Sequence, residues 1–168
     1  MNIESAGVFC INAASGSVML GLTKDSELRW DWLGGKYEPR DSVGKTNVDE
    51  IARETLAREM WEEASLEACN FIAPHATEYV KIHNPTTDKY IYVYCALIED
   101  VETLDEILAR PRIGSPHQGY HWLTRAQLTA AIAAGQHNDF KLRGFLKILF
   151  ANPDIQHLLG IDAKCAKK

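Results

Sequence analysis

Short runs of apolar residues follow one another along the chain and predict a series of strands. The runs 6–12 and 17–23 flank a turn rich in Ala, Ser and Gly, which predicts a hairpin. Bulky and polar residues alternate over 28–33, and we expect a strand that breaks at the following Gly pair. Residues 71–83 predict strand-like stretches interrupted by a proline, and the β-branched and aromatic run 90–98 predicts a long central strand.

Helical patterns lie between these strands. Residues 49–64 are rich in Ala, Glu, Arg and Leu and predict a helix that Asn47 or Asp49 caps. The remaining predicted elements are a helix opened by the capping box Thr103–Glu106 and stopped by Pro111, a short strand at 121–123, a helix from the capping box Thr124–Gln127 to Gly135, and an amphipathic helix over 139–151 stopped by Pro153. The interleaving predicts one α/β domain over residues 1–160, followed by a frayed tail over 161–168.

Composition and charge narrow the function classes. The 168 residues are 46% hydrophobic and 24% charged, which is typical of one globular domain. The net charge of -5 gives no broad attraction for nucleic acid, so phosphate binding would need local cations or a metal. No apolar run approaches the roughly 18 residues that span a bilayer, and the N-terminus lacks the basic segment of a secretory signal.

The cysteines favour a reducing compartment. Cys10, Cys69, Cys95 and Cys165 are scattered, without a C-x-x-C pair. Because a domain of this size needs no disulfide to fold, reduced and mostly buried thiols are favoured over disulfides. We therefore expect a cytoplasmic protein, with a nuclear location as the alternative. A homodimer is left open by the sequence.

The helix at 49–64 carries an acidic cluster that helix propensity alone does not require. Glu59, Glu62 and Glu63 fall within an arc of roughly 100° on one helical face. Arg58 has Glu54 four residues before it and Glu62 four residues after it, so it can brace the cluster. Converging carboxylates suit Mg2+ or Mn2+, which in turn neutralise phosphate oxygens. The alternative is a solvated face with a ladder of Glu and Arg.

The same residues resemble a known motif. The string Gly44-x5-Glu50-x7-Arg58-Glu59-Met60-x-Glu62-Glu63-x-Ser65-Leu66 resembles the Nudix box, G-x5-E-x7-R-E-U-x-E-E-x-G-U, with Ser65 in place of the last Gly. For Ser65 we expect a plain helix C-terminus. The segment Trp30 to Lys36 resembles the family's W-x-x-P-G-G-K, with Leu33 for Pro, and residues 120–128 resemble its later strand and helix cap. The resemblance covers most of residues 5–135.

This resemblance implies a Nudix-type α/β/α sandwich with a mixed sheet. It implies metal-dependent hydrolysis of the pyrophosphate linkage of a nucleoside diphosphate linked to another moiety X. Mg2+ or Mn2+ would be held by Glu59, Glu62, Glu63 and the backbone carbonyl of Gly35. Glu59 would act as ligand or base, and Arg58 would orient the carboxylates. Trp30 and Lys36 are the candidate substrate-binding residues.

Two other classes of function compete with hydrolysis. The first is a non-hydrolytic Nudix-like module that senses a nucleotide or binds a protein, and the second is a scaffold that uses the fold for dimerisation. The intact set of carboxylates favours the enzyme, because a pure binder does not need three converging acids. ADP-ribose, dinucleoside polyphosphates, oxidised nucleoside triphosphates and capped RNA all remain open as substrates.

The sequence departs from the family pattern at two places. Gly35 precedes Gly44 by nine residues, so either the loop 36–49 carries an insertion, which we favour, or Gly44 matches the box by coincidence. An inserted loop would shape substrate access. The family's late Glu is also absent, and the replacements that stay open are His117, Gln118, Glu99, Asp100 and Glu102.

A few further side chains have structural and functional interpretations. Trp30 and Trp32 alternate on a strand, so we expect one to face inward and one outward. His117 and His121 do not predict zinc, because Gly119 prevents a helical pair and no Cys lies near. The cations of the last predicted helix, Lys141, Arg143 and Lys147, are typical of a solvent-facing side, with phosphate contact as the alternative.

Overall fold

The computed structural model describes residues 2–110 and 112–161. In that part of the chain, nine strands form one mixed sheet with helices on both of its faces. The strands are β1 Ile3–Asn12, β2 Val18–Thr23, β3 Arg29–Asp31, β4 Leu33–Lys36, β5 Ala76–Asn84, β6 Lys89–Ile98, β7 His117–Leu123, β8 Gln136–His137 and β9 Phe140–Leu142. The helices are α1 Val48–Glu63, α2 Leu66–Ile72, α3 Val101–Leu108, α4 Arg125–Ala134, α5 Gly144–Phe150 and α6 Pro153–Leu158, with short 3-10 turns at Pro39–Ser42 and Ala73–His75.

The first hairpin and the central strand are confirmed. Strands β1 and β2 pair antiparallel at Ile11 and Val18. Strand β6 lies between β1, to which it is parallel, and β5, to which it is antiparallel. Its side chains from Ile91 to Ala96 are buried, which explains its long run of β-branched and aromatic residues.

The sheet divides next to the end of α1. Strand β1 pairs with β4 from Ser5 to Val8, whereas β2 pairs with β3 on one edge and with β7 on the other. Glu63, the last residue of α1, lies between the two branches. Its carboxylate accepts a hydrogen bond from the Gly34 N–H in β4, and its backbone carbonyl accepts one from the Tyr120 hydroxyl in β7.

Each face of the sheet has its own hydrophobic core. The first core contains Leu56 and Met60 of α1 together with residues of α2 and α3. The second core contains Leu128 of α4, Leu146 of α5 and Ile155 of α6. The predicted α/β/α sandwich with a mixed sheet is therefore confirmed, because helices cover both faces of one sheet.

Several predicted boundaries are wrong. Ser65 is not a plain helix C-terminus: its hydroxyl accepts the Ala68 N–H and caps α2, so the first part of 71–83 is helical. Helix α3 begins three residues earlier than expected, because Asp100 is its N-cap. In the predicted helix 139–151, the residues Phe140–Leu142 instead form β9, since they pair in parallel with β3.

Two strand predictions are also wrong: β7 begins at His117 rather than at residue 121, and the run 28–33 forms β3 and the start of β4, with the Gly pair inside β4. Three helix boundaries match expectation. Asn47 caps α1 by accepting the Asp49 N–H, and the capping box from Thr124 to Gln127 opens α4, which ends at Gly135. Ile161 is buried, although it opens the predicted tail, and residues 162–168 lie outside the described residues. The predicted stop at Pro111 falls outside them too.

Cys10, Cys69 and Cys95 are buried free thiols, and Cys165 lies outside the described residues. No helix in the part of the chain that the structure describes is long and apolar enough to cross a membrane.

Candidate active site

Arg58 is the centre of an ion-pair network on α1. It is buried, and its guanidinium lies 2.8 Å from Glu59 Oε1 and 2.9 Å from Glu62 Oε2. A third bond, 2.6 Å long, runs to the backbone carbonyl of Lys36. The expectation that Arg58 orients carboxylates agrees with these contacts. The expected brace from Glu54 is wrong, because Glu54 instead lies 3.3 Å from Lys45.

Asp41 is the deepest partner of Arg58, and sequence reasoning missed it. Its carboxylate lies 2.8 Å from Arg58 Nε and accepts a further bond from the Thr55 hydroxyl. Burial would lower the pKa of Arg58, but the hydrogen bond to Asp41 and the charge of Glu59 outweigh burial and raise that pKa. The guanidinium is therefore a permanent buried cation.

The position of Asp41 favours the insertion in the loop. Asp41 follows Gly35 after five residues, the interval that the Nudix box has between its first Gly and its first Glu. Gly44 and Glu50 are both exposed, and a Cβ at Gly44 would contact nothing within 4 Å. Its spacing and burial therefore favour Asp41 over Glu50 as the residue at the first acidic position of the box. The additional residues lie between Asp41 and Arg58, which sixteen residues separate where the box has seven.

Glu59 and Glu63 lie against the Gly pair of β4. A Cβ added to Gly35 would stand 2.4 Å from the Glu59 carboxyl carbon, so the absent side chain makes room for this carboxylate. Glu63 Oε2 accepts the Gly34 N–H over 2.8 Å. Burial raises the pKa of Glu59, although Arg58 opposes the shift. Burial raises the pKa of Glu63 to about 9, with the charges of Asp31 and Glu59 adding to it.

Glu62 stands at the rim of this arrangement. Its Oε1 atom lies 2.6 Å from Arg40, and its Oε2 atom lies 2.9 Å from Arg58. In residues 2–110 and 112–161, no three Asp, Glu, His or Cys side chains come together closely enough to hold a metal ion. The predicted three-carboxylate site is therefore not assembled in this arrangement, because Arg40 and Arg58 hold Glu62.

The donor set nevertheless suits a hard divalent cation. Glu59, Glu62 and Glu63 offer only carboxylate oxygens, which Mg2+ and Mn2+ prefer. The room above Gly35 is occupied by the Glu59 carboxylate, and the Gly35 backbone lies beside it. Burial is the main cause of the raised pKa values of Glu59 and Glu63, and the charges of neighbouring carboxylates add to it. A bound cation would favour the charged carboxylates and offset both effects.

A cavity of about 350 Å3, which we call the front cavity, opens beside these carboxylates. Its lining residues come from β1, the β3–β4 region, the end of α1 and the start of α5: Glu4, Ser5, Asp31, Trp32, Gly34, Gly35, Lys36, Glu63, Arg143 and Phe145. It joins two of the expected metal ligands, Glu63 and Gly35, with the expected substrate-binding residue Lys36. Glu59 lies directly behind Gly35.

Trp30 is not in this cavity. It is buried in the second core, and its Nε1 donates to the His137 carbonyl over 2.8 Å. Trp32 is also buried in that core, and it is Trp32 that lines the front cavity. The expectation that one tryptophan faces outward is wrong, because side chains two positions apart on an extended chain point to the same side. A substrate contact by Trp30 stays a prediction, and its burial favours a core role.

His117 and Gln118 line a second, larger cavity of about 540 Å3, the rear cavity, on the α3 side of Glu63. His117 is buried, its Nδ1 lies 3.1 Å from the Tyr120 hydroxyl, and burial lowers its pKa to about 4. The hydroxyls of Ser115 and Tyr120 both donate to the Glu63 carbonyl. This network contacts the backbone that carries Glu63.

The other candidates for the late carboxylate lie elsewhere. Asp100 caps α3 through the Thr103 N–H, and Glu99 and Glu102 are exposed. Gln118 donates to the Thr23 carbonyl. The choice among these replacements therefore stays a prediction.

The acidic residue missed by sequence reasoning in the front cavity is Asp31. It is buried and forms an ion pair with Arg143 across 112 residues of sequence. The signal was an acid between two tryptophans in a buried strand, where a carboxylate needs a cationic partner. Which cation pairs with it depends on the tertiary structure.

Residues 1–143 match the family model described as NUDIX domain, which is well over half of the chain. The chain therefore belongs to the NUDIX domain family, and the resemblance stated from the sequence is confirmed. No curated protein matches the sequence.

Three solved structures are similar to this chain. An Ap4A hydrolase binary complex from C. elegans is 15% identical, with 76% of this chain and 84% of that chain covered and a TM-score of 0.48. The dihydroneopterin triphosphate pyrophosphohydrolase of E. coli is 15% identical, with coverages of 95% and 98% and a TM-score of 0.49. A bifunctional NMN adenylyltransferase/ADP ribose pyrophosphatase from Francisella tularensis, complexed with AMP and Mn ion, is 13% identical, with coverages of 74% and 34% and a TM-score of 0.44. The family assignment rests on the family model.

Proposed function

We propose that this chain hydrolyses the pyrophosphate linkage of a nucleoside diphosphate linked to another moiety X, with Mg2+ or Mn2+ as cofactor. The observation that carries the proposal is the position of Glu59 and Glu63. Both carboxylates lie against the Gly34–Gly35 backbone, beside a cavity that also contains the cations Lys36 and Arg143. A site with acids on one side and cations on the other suits a metal-bound polyphosphate.

Glu59, Glu62 and Glu63, with the Gly35 carbonyl, would hold the metal. A bound divalent ion offsets charge on phosphate oxygens and lowers the pKa of bound water. Arg58 keeps Glu59 and Glu62 oriented through its two bonds to them, while the Gly34 N–H orients Glu63. Arg40 competes for Glu62, so Glu62 would have to give up the Arg40 contact in order to hold the metal.

Two further residues have roles beside the metal ligands: Lys36 would contact the polyphosphate, and Glu59 would accept a proton. Lys36 is exposed at the edge of the front cavity, where its ammonium can reach a phosphate group. Glu59 can accept a proton, because burial raises its pKa above the usual carboxylate value. Glu59 acts as ligand or as base.

The experiment is a turnover assay on a panel of nucleoside diphosphate derivatives, with Mg2+, with Mn2+ and with neither. We expect metal-dependent release of a nucleotide from one substrate class, and loss of that turnover in Glu62→Gln and Glu63→Gln. Glu67→Gln is the matched control, because Glu67 is exposed and its nearest cation, Arg110, is 3.8 Å away. Unchanged turnover in both Glu62→Gln and Glu63→Gln would contradict the proposal.

A non-hydrolytic nucleotide-sensing or protein-interaction module is the second candidate. The observation that favours it is the pairing of both Glu62 oxygens with Arg40 and Arg58, which leaves the carboxylates apart. A sensor would bind nucleotides from the panel, measured as a shift in melting temperature, without turnover under any metal condition.

A further inference from the structure

Lys141, Arg143 and Lys147 are the three cations of the predicted helix 139–151 for which phosphate contact was the alternative. The structure places them in three different surroundings. Arg143 lines the front cavity beside Glu63 and Gly34. Lys141 is in β9, where its backbone lies opposite Arg29 of β3 and Gln136 of β8 in the sheet. Lys147 lies against Gly135 at the end of α4. Of these three side chains, Arg143 is the one beside the expected metal ligands.

Arg143 is held at this position by Asp31. The Asp31 carboxylate is only 4% exposed, whereas the Arg143 side chain is 50% exposed. The second Asp31 oxygen accepts the Trp32 N–H over 2.9 Å, so the carboxylate is fixed by the backbone. The Arg143 backbone N–H in turn donates to the Trp30 carbonyl. A buried acid therefore positions a half-exposed guanidinium that lines the front cavity and has further N–H donors available.

The same cavity contains a buried hydroxyl that has no partner. Ser5 is only 4% exposed and lines the front cavity, and its Oγ makes no hydrogen bond within the described residues. Along β1, Ser5 has the parity of Phe9, which faces the core on the Arg143 side of the sheet. An unpaired buried hydroxyl is costly, and a phosphate oxygen in the front cavity would give this one an acceptor.

We propose that Arg143, positioned by Asp31, binds the phosphate oxygens of the substrate in the front cavity, with the Ser5 hydroxyl donating to the same group. This inference rests on the proposed function, because it names the residue that binds the polyphosphate of that reaction. Planar guanidinium groups bind phosphate through two parallel N–H bonds, which a lysine cannot do. The acidic chain has no general attraction for anions, so a local cation has to supply it.

The test measures binding, independently of turnover. The probes are methylenediphosphonate, α,β-methylene-ADP and adenosine, titrated calorimetrically into the wild type with Mg2+ present. For Arg143→Gln we expect affinity for both diphosphate probes to fall about tenfold, since a charge-assisted bond contributes that much, and affinity for adenosine to stay unchanged. Arg143→Lys should recover only part of the loss. Lys147→Gln is the matched control and should bind all three probes as the wild type does.

Removal of Arg143 leaves Asp31 buried without its cation, so the single variant can unfold. The double variant Asp31→Asn, Arg143→Gln removes that charge, and we expect it to fold with the same loss of diphosphate affinity. Asp31→Asn alone keeps the Arg143 guanidinium but removes the carboxylate that holds it in place. Its loss of affinity for the diphosphate probes should therefore be smaller than that of Arg143→Gln. Ser5→Ala should weaken both diphosphate probes about threefold, as loss of a neutral hydrogen bond predicts.

Three results would overturn the inference. These are unchanged diphosphate affinity in the folded double variant, a loss confined to adenosine, which would make the cavity a base-binding site, and no binding of either diphosphate probe by the wild type. Turnover that persists in the panel assay while any of these holds would leave the proposed function standing. A wild type that turns over no substrate class but still binds the diphosphate probes through Arg143 would contradict the hydrolysis proposal alone.

Discussion

Gly34 and Gly35 are adjacent in β4, but a methyl group would meet different neighbours at each. At Gly35 the new Cβ would stand 2.4 Å from the Glu59 carboxyl carbon, which is the end of a flexible side chain. At Gly34 it would stand 2.3 Å from the Gly7 Cα and 2.6 Å from the Ala6 carbonyl oxygen, which are backbone atoms. The first substitution disturbs a carboxylate, and the second forces β1 and β4 apart.

We expect Gly35→Ala to remain folded and to lose most of its turnover, because Glu59 has to leave the Gly35 backbone. Gly34→Ala should lose about 2 kcal/mol or more of unfolding free energy, because overpacking against backbone cannot relax. Urea unfolding and the turnover assay on the two variants provide the comparison. Wild-type turnover in Gly35→Ala would show that Glu59 does not depend on the room above Gly35.

Asp41 and Glu50 are two acids that compete for the first acidic position of the box. Burial alone would raise the pKa of Asp41, but hydrogen bonds from Arg58, the Glu38 N–H and Thr55 outweigh it and lower that pKa below its usual 3.8. A carboxylate with a lowered folded-state pKa stabilises the protein above its unfolded pKa. That stabilisation is lost as the pH falls through the folded-state value.

We therefore expect Asp41→Asn to cost about 3 kcal/mol at pH 7, because it leaves the buried Arg58 without its main partner. The stability difference from the wild type should begin to shrink as the pH falls below about 4, the pKa of the unfolded state, because the unfolded wild type then takes up a proton. It should disappear only below the lowered folded-state pKa, where the wild-type carboxylate is protonated in both states. Chemical unfolding between pH 3 and pH 7 measures it. Glu50→Gln, at an exposed residue, should change stability little at any of these pH values.

At the scale of elements, the junction between α1 and α2 depends on Ser65. This residue replaces the last Gly of the box, and its extended backbone with φ of -172° lets its hydroxyl cap α2. An N-cap Ser replaced by Ala loses the hydrogen bond to the Ala68 N–H, whereas Gly is a tolerated N-cap. The position therefore accepts either the family's Gly or this chain's Ser for the same helix start.

We expect Ser65→Ala to lower the unfolding free energy by about 1 kcal/mol and Ser65→Gly to lower it by only a few tenths. Thermal unfolding of the two variants measures the difference. Turnover should stay near the wild-type level in both, because the hydroxyl is bound to α2 and not to the carboxylates. Equal destabilisation by Ala and Gly would mean that the cap does not stabilise the junction.

At the scale of the whole molecule, the last turn of α1 connects both branches of the sheet. Glu63 contacts β4 by its side chain and β7 by its backbone, and Arg112 donates to the Glu62 carbonyl over 3.0 Å. A cation bound to Glu62 and Glu63 would join these contacts to Arg58 and the loop that carries Asp41. Metal binding should therefore stabilise the complete fold rather than one loop.

We expect Mn2+ at a hundred times its dissociation constant to stabilise the protein by about 2.7 kcal/mol. For a chain of this size that raises the melting temperature by roughly 5–10 °C. Removal of the metal with a chelator should reverse the shift. Glu63→Gln should reduce it strongly and Glu67→Gln should not. An equal shift in wild type and Glu63→Gln would place the bound metal away from Glu63.

The sequence alone determined which elements form wherever a local pattern is enough. The hairpin, the core strand β6, the capped helices α1 and α4, and the acidic face with Arg58 follow from periodicity, capping and spacing within a few residues. The family followed from the same local string. Helix α2 and strand β9 were missed, because their identity depends on a cap at Ser65 and on pairing with β3.

Only the tertiary structure decided which distant residues complete the site. Asp41 reaches Arg58 across 17 residues, and Arg143 reaches Asp31 across 112. An ion pair between residues far apart in sequence leaves no local pattern. A Lys or Arg that pairs with a distant acid looks the same in the sequence as one that faces solvent. Burial decided the rest, because Trp30 and Trp32 look alike in sequence and only the folded sheet directs Trp32 to the front cavity.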